Sequence, residues 1–211
     1  MNKNTIYIYM MASMAMLVPF PGRLAYGIIL VILLNLLMLS GTLFRRLVSL
    51  LSLDNLLSVL IAVLLVSEAV IFKQLLVLYS PLMALTLGFS LFLPAVSSFL
   101  IGSLYQPGAG QLYADILSNL KQSGLFSLYA LFIFLVRDIF GYGTLSLPSR
   151  TGLVQLQVLP AKSGGIGMFW ASVPGALLLC VLCIAGSALV HKKLLVAGEA
   201  LAENGGDDAL S

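Results

Sequence analysis

Polar and apolar residues do not alternate along this chain; the apolar ones come in long blocks. Six blocks stand out, at about 5–20, 24–43, 55–72, 82–104, 119–140 and 167–190. About 20 apolar residues in a helix cross a hydrocarbon core of about 30 Å. The boundaries carry breakers or charge: Pro19 and Pro21 after the first block, Arg45 and Arg46 after the second, Asp54 and Lys73 around the third. Arg137 and Asp138 close the fifth, and His191, Lys192 and Lys193 the sixth. The pattern predicts an all-α, polytopic membrane protein. Six transmembrane helices form one domain over 1–193, and a solvated acidic tail over 194–211 holds Glu199, Glu203, Asp207 and Asp208. The connection 141–166, rich in Gly, Ser, Pro and Thr, is too polar to cross and is expected to pack on one face.

Two of the blocks are interrupted. The fourth contains LPAVSSFLIG at 93–102, with Pro94, Ser97, Ser98 and Gly102 in the middle of a span. Pro94 removes a backbone donor, so a kink or unwound turn is expected there. Ser97 and Ser98 are expected to bond back to carbonyls one turn earlier. The first block ends in VPFPGR, which lacks the small-residue cleavage site of a signal peptide and reads as a retained, broken helix. The second and fifth blocks both end in Gly-Thr-Leu, at 41–43 and 143–145. Three spans plus three, with broken first and fourth helices, form the pattern of two inverted repeats around a site near the bilayer midplane.

Composition strengthens the membrane reading and removes other classes. Only 9% of residues are charged, against about 25% in soluble domains, and the mean hydropathy is +1.07. The net charge of +3 is scattered over loops with no basic stripe, which excludes nucleic acid as a partner. Lys3, Arg45, Arg46, Lys121, Lys192 and Lys193 fall on one side of a six-span layout. Arg23, Lys73, Arg137, Arg150 and Lys162 fall on the other, a small bias that places both termini in the cytoplasm. Cys180 and Cys183 share a helix face, but without further His or Cys ligands they read as small buried residues.

Glu68, inside VLLVSEAVIF, allows two readings: a carboxylate that handles a cation or proton, or a boundary residue paired with Lys73. Arg137 and Asp138 are adjacent and cannot share a helix face, so each needs its own partner. Gly141 and Gly143 supply a sharp change of backbone direction after them. The single His and the absence of any nucleophile–base pair leave no catalytic set, so no enzyme activity is expected of the isolated chain.

Four stretches resemble a known family. Ser80-Pro81, Gly88 and Gly102 follow its Ser-Pro…Gly…Asn-Cys…Gly spacing. Arg137 to Leu145 is similar to its Arg-Glu-x-Leu-Gly-x-Gly-Thr-Leu motif, including Gly141, Gly143 and Thr144. Val173-Pro174-Gly175-Ala176 resembles its Pro-Pro-Gly-Ala, and His191-Lys192-Lys193 its basic ending; Glu68 falls where one sister subunit has a glutamate. The family is that of the paired six-span membrane subunits of the Rnf and sodium-pumping Nqr electron-transport complexes.

The resemblance implies two inverted three-helix repeats and a homologous six-helix sister subunit in a bacterial cytoplasmic (inner) membrane. Flavin and iron–sulfur centres would belong to partner subunits. In the family, one cysteine from each half-helix ligates a [2Fe–2S] cluster, and those positions correspond here to Val18 and Ser98. Val cannot ligate iron and Ser is a poor replacement for a thiolate, so no cluster or other cofactor is expected in this chain. The expected role is scaffold or ion path, with Glu68, Pro94, Ser97, Arg137, Asp138, Gly141, Gly143 and Thr144 as ion-path or structural residues. The other class open to such a chain is the substrate-binding membrane component of a vitamin or ion transporter.

Overall fold

The computed structural model describes residues 15–51, 56–103, 112–159, 166–183 and 185–186; of these, the side chains of 101–103, 112–115, 118 and 166 are left aside. The described part is mostly helical. A helical turn at 15–17 leads through bends at Val18–Phe20 into α1 (Leu24–Leu50). Then follow α2 (Leu57–Tyr79), α3 (Pro81–Leu87), a 3-10 segment (Gly88–Phe92), α4 (Leu93–Ser103) and α5 (Leu112–Tyr142). Beyond α5 come strands β1 (Thr144–Ser149) and β2 (Gly152–Gln157), then the short helices α6 (Ile166–Ala171) and α7 (Val173–Cys183).

Among the described residues four helices are long and apolar enough to cross a membrane: α1, α2, the combined α3–α4 from Pro81 to Leu100, and α5 from Asn119. The expected first span falls mainly on residues outside the described set, as do the end of the sixth and the 194–211 tail. The described part of the sixth is divided at Ser172 into α6 and α7. Large apolar side chains such as Val59, Val63, Val66 and Val70 on α2 point outward. That is the surface a bilayer accepts and water does not.

Three expectations need correction. The all-α reading missed a hairpin: β1 and β2 pair antiparallel, Thr144 with Gln157 through Ser149 with Gly152, about a two-residue turn at Arg150-Thr151. Gly152 takes φ 123°, a conformation that costs other residues more. Second, α1 does not stop before Arg45; it runs through both arginines to Leu50. Gly41-Thr42-Leu43 therefore lies inside a helix, whereas Gly143-Thr144-Leu145 leaves one, so the two triplets do not mark the same feature.

Third, the break in the fourth span is not at Pro94. It lies one turn earlier, over Gly88–Phe92, where Gly88 has φ 49° and its positive φ redirects the chain. Pro94 is the second residue of α4, a first-turn position where its missing N–H leaves no helical bond unmade. Ser98 does bond back, its hydroxyl donating to the Ala95 carbonyl at 2.9 Å, and Ser97 is buried.

The core is built along α1 and α5, which run antiparallel in one register. Leu24 meets Asp138, Gly27 meets Phe134, Asn35 meets Ser127 and Thr42 meets Asn119. Each step along α1 is answered, to within one residue, by a step back along α5. Small residues permit the approach: a Cβ placed on Gly27 would sit 2.5 Å from the Phe134 ring. In a bilayer, where lipid is as apolar as leucine, such close packing and interhelical hydrogen bonds hold helices together. Gly27→Val is expected to destabilise the protein by about 1–3 kcal/mol. Its thermal midpoint in detergent should fall, and Phe134→Ala in the same chain should restore part of the loss.

Candidate functional site

Pro21 and Gly22 break the chain before α1, and Arg23 enters that helix in an extended conformation, φ −110° and ψ 133°, with no side-chain cap of its own. The cap comes from α5 and β1 instead. The Leu24 N–H donates to Asp138 Oδ2 at 3.1 Å, and the Ala25 N–H to Ser146 Oγ at 3.2 Å. Asp138 also accepts from the Ser146 N–H and hydroxyl, both at 2.6 Å, and from the Thr144 hydroxyl at 3.1 Å. A fully buried carboxylate thus has four donors and the positive end of a long helix to compensate its charge.

Arg137 is the opposite half of the joint. It is the bulkiest fully buried side chain among the described residues. Its guanidinium donates to four backbone carbonyls: Leu17 at 2.7 Å, Phe20 at 3.0 Å, Ala171 at 2.9 Å and Trp170 at 3.4 Å. Two of these, at the end of the 15–17 turn and in the bend after it, precede Pro21-Gly22, and two close α6 before Val173-Pro174-Gly175. Proline after a helix end leaves carbonyls without N–H partners, and the five-donor fork of arginine supplies them. Rather than snorkelling to the interface, the cation stays inside the fold at two negative helix ends.

The glycines of the motif make room for this. Gly141 faces Ala171, where a Cβ would come within 2.8 Å of the Ala171 Cβ. Gly143 adopts φ 67° so that the chain leaves α5 and enters β1, and its carbonyl receives the N–H groups of Val158 at 2.9 Å and Leu159 at 3.0 Å. A Cβ on Gly22 would lie 2.9 Å from the Arg137 side chain. Beside the joint, the Arg23 guanidinium stacks on the Tyr142 ring at 4.6 Å.

A second polar group runs down the α1–α5 seam. Asn35 donates to the Ser127 hydroxyl at 2.7 Å and accepts from the Ser123 hydroxyl at 2.8 Å. Two turns further, Asn119 donates to the Met38 carbonyl at 2.9 Å and to the Thr42 hydroxyl. Beside this seam the Ser40 hydroxyl donates to Glu68 Oε2. Lys73 is not the partner of Glu68: its ammonium sits over the Phe92 ring at 5.7 Å. Asn119, Ser123 and Ser127 went unnoticed in the sequence, although their i, i+4, i+8 spacing marks one polar stripe on one helix face.

The predicted site residues therefore fall into separate groups. Arg137, Asp138, Gly141, Gly143 and Thr144 form one joint. Glu68 belongs to the seam beside α1, while Ser97, Ser98 and Pro94 lie along α4. The Leu17 carbonyl, next to Val18, bonds Arg137, whereas Ser98 lines a cavity with Asn119, eighteen residues earlier on α5. Among the described residues no group of three His, Cys, Asp or Glu could hold a metal ion. No protein-family model matches this chain, and no curated protein matches it either.

Arg137→Lys keeps the charge but not the planar fork, and is expected to cost about 3 kcal/mol or more by leaving buried carbonyls unmet. Asp138→Asn turns an acceptor into a donor facing the Ser146 N–H and is expected to cost about 1–3 kcal/mol. Urea unfolding in detergent micelles measures both. Serine at Gly141, by contrast, should disturb α6 packing while leaving the Asp138 contacts in place.

Proposed function

We propose that this chain is an integral membrane subunit of an ion-translocating electron-transport complex of the Rnf/Nqr type, acting as scaffold or ion path without a cluster of its own. In this reading six transmembrane helices form two inverted three-helix repeats in a bacterial inner membrane, with both termini in the cytoplasm. A homologous six-helix sister subunit lies beside it, and flavin and iron–sulfur centres reside in the partners.

One observation carries the reading. Every residue of the Arg137–Leu145 stretch that resembles the family motif and has a distinctive chemistry serves one joint: Arg137 and Asp138 cap helix ends, Gly141 and Gly143 shape the backbone, and Thr144 holds the carboxylate. A motif spent entirely on architecture suits a subunit retained for its shape. Glu68, inside α2 and partnered by Ser40 rather than by a cation, supplies the ion-path element.

The alternative is the substrate-binding component of a vitamin or ion transporter, and the cavity seen among the described residues is small for a vitamin. Small-molecule pockets span roughly 300–1,000 Å³. The cavity between α1, α2, α4 and α5 holds about 30 Å³.

Purification from the native membrane in mild detergent tests the proposal. Co-purification of flavin- and iron–sulfur-containing subunits is expected, and recovery of the chain alone contradicts it. Within such a complex, Glu68→Gln should slow ion uptake into vesicles severalfold while leaving assembly intact; unchanged uptake assigns Glu68 a structural role.

A further inference from the structure

The β1–β2 hairpin is turned inside out relative to one at a water surface. Across the ladder Leu145 pairs with Leu156 and Leu147 with Val154, and strand alternation puts these four on one side of the sheet. Thr144 and Ser146 lie on the other side, where both bond Asp138. The polar side chains of β1 thus turn into the protein, while Leu147, Val154 and Leu156 are left exposed. An antiparallel sheet with one face in water shows the reverse, apolar residues in and polar ones out.

We infer that the outer face of this hairpin is an interfacial lipid anchor, seated on phospholipid acyl chains at the headgroup boundary. Its depth follows from α1. Ser146 of β1 holds the N–H of Ala25, at the start of that helix. From Leu24 to Arg45 the helix runs twenty-one residues, about 30 Å, the thickness of a hydrocarbon core. The hairpin is therefore level with one boundary and Arg45 with the other. Tyr142, exposed at the end of α5 where the chain turns into β1, suits a place where lipid meets water. The apolar face also adjoins the surface that the spans present to lipid: β2 lies against α3, whose Leu82 and Leu85 are exposed. At the hairpin turn the exposed Arg150 offers a cation to lipid phosphate. The backbone limits how deep the sheet can go. It has two strands among the described residues, and open sheet edges need water, which the hydrocarbon core lacks. Apolar on one face and wet along its edges, the hairpin fits the boundary and neither bulk phase. This anchoring holds whether or not the chain assembles into a larger complex.

The test is the depth of a tryptophan placed on that face, with the full chain as the only protein in phosphatidylcholine bilayers. Trp170 is the single tryptophan of the chain, so Trp170→Phe gives a silent background. In it, Leu156→Trp is read with lipids brominated on the acyl carbons nearest the headgroup or near the chain ends. Shallow bromines should quench it at least about twofold more strongly than deep ones. Leu128→Trp, on the exposed side of α5 and ten residues from Asp138, is the reference within the core and should show the opposite order. Val154→Trp reads the same face and replaces Leu156→Trp where that variant fails to fold. Emission from position 156 that acrylamide quenches as freely as tryptophan in solution, with no effect of brominated lipid, overturns the proposal and leaves the face for a protein partner. A depth profile at 156 equal to that at 128 also overturns it, by placing the hairpin in the hydrocarbon core.

Discussion

A buried guanidinium that meets four backbone carbonyls is the interaction on which this fold depends. Arg137 satisfies, from one helix, the ends of two others that prolines have cut short. A bilayer makes the constraint severe, because no water is at hand to bond the carbonyls left by a broken helix. Asp138, the next residue, performs the converse task at the N-terminus of α1. Opposite charges on adjacent residues thus point to opposite helix poles, and neither needs the other as an ion-pair partner.

From that joint the rest follows in order. Capping α1 through Asp138 fixes its register against α5, and the register brings Asn35 to Ser127 and Ser123, then Thr42 to Asn119. In the middle of the seam Asn35 bonds both Ser123 and Ser127, and further along Asn119 bonds Met38 and Thr42 through its Nδ2. The joint and the cavity are therefore opposite ends of one antiparallel helix pair.

The elements with a strong local cause were legible in the chain. Long apolar blocks marked the four spans seen among the described residues, and the run from Arg137 to Thr144 announced a break in direction through its glycines. The partners of Arg137 were not legible, because Leu17, Phe20, Trp170 and Ala171 act through backbone carbonyls, which carry no residue identity. The twin Pro-Gly steps at 21–22 and 174–175 were visible, but their meeting on one side chain depends on tertiary structure. In the fourth span proline was blamed for a break that Gly88 makes, because a proline in a first helical turn obeys the helix rather than ending it. The hairpin was hidden by its polar composition, which reads as loop until β1 packs beneath α1. Ser98 was noticed for its neighbours in sequence, Asn119 was not, and the two line the same cavity.

The central claim, that Arg137 holds both short helix ends at once, is tested most directly by amide hydrogen exchange in Arg137→Met against the unaltered protein. The account predicts that exchange accelerates together at 21–27 and 166–172, while the middle of α2, remote from the joint, exchanges as before. Faster exchange in one of those segments alone, or a uniform increase through every helix, would contradict it.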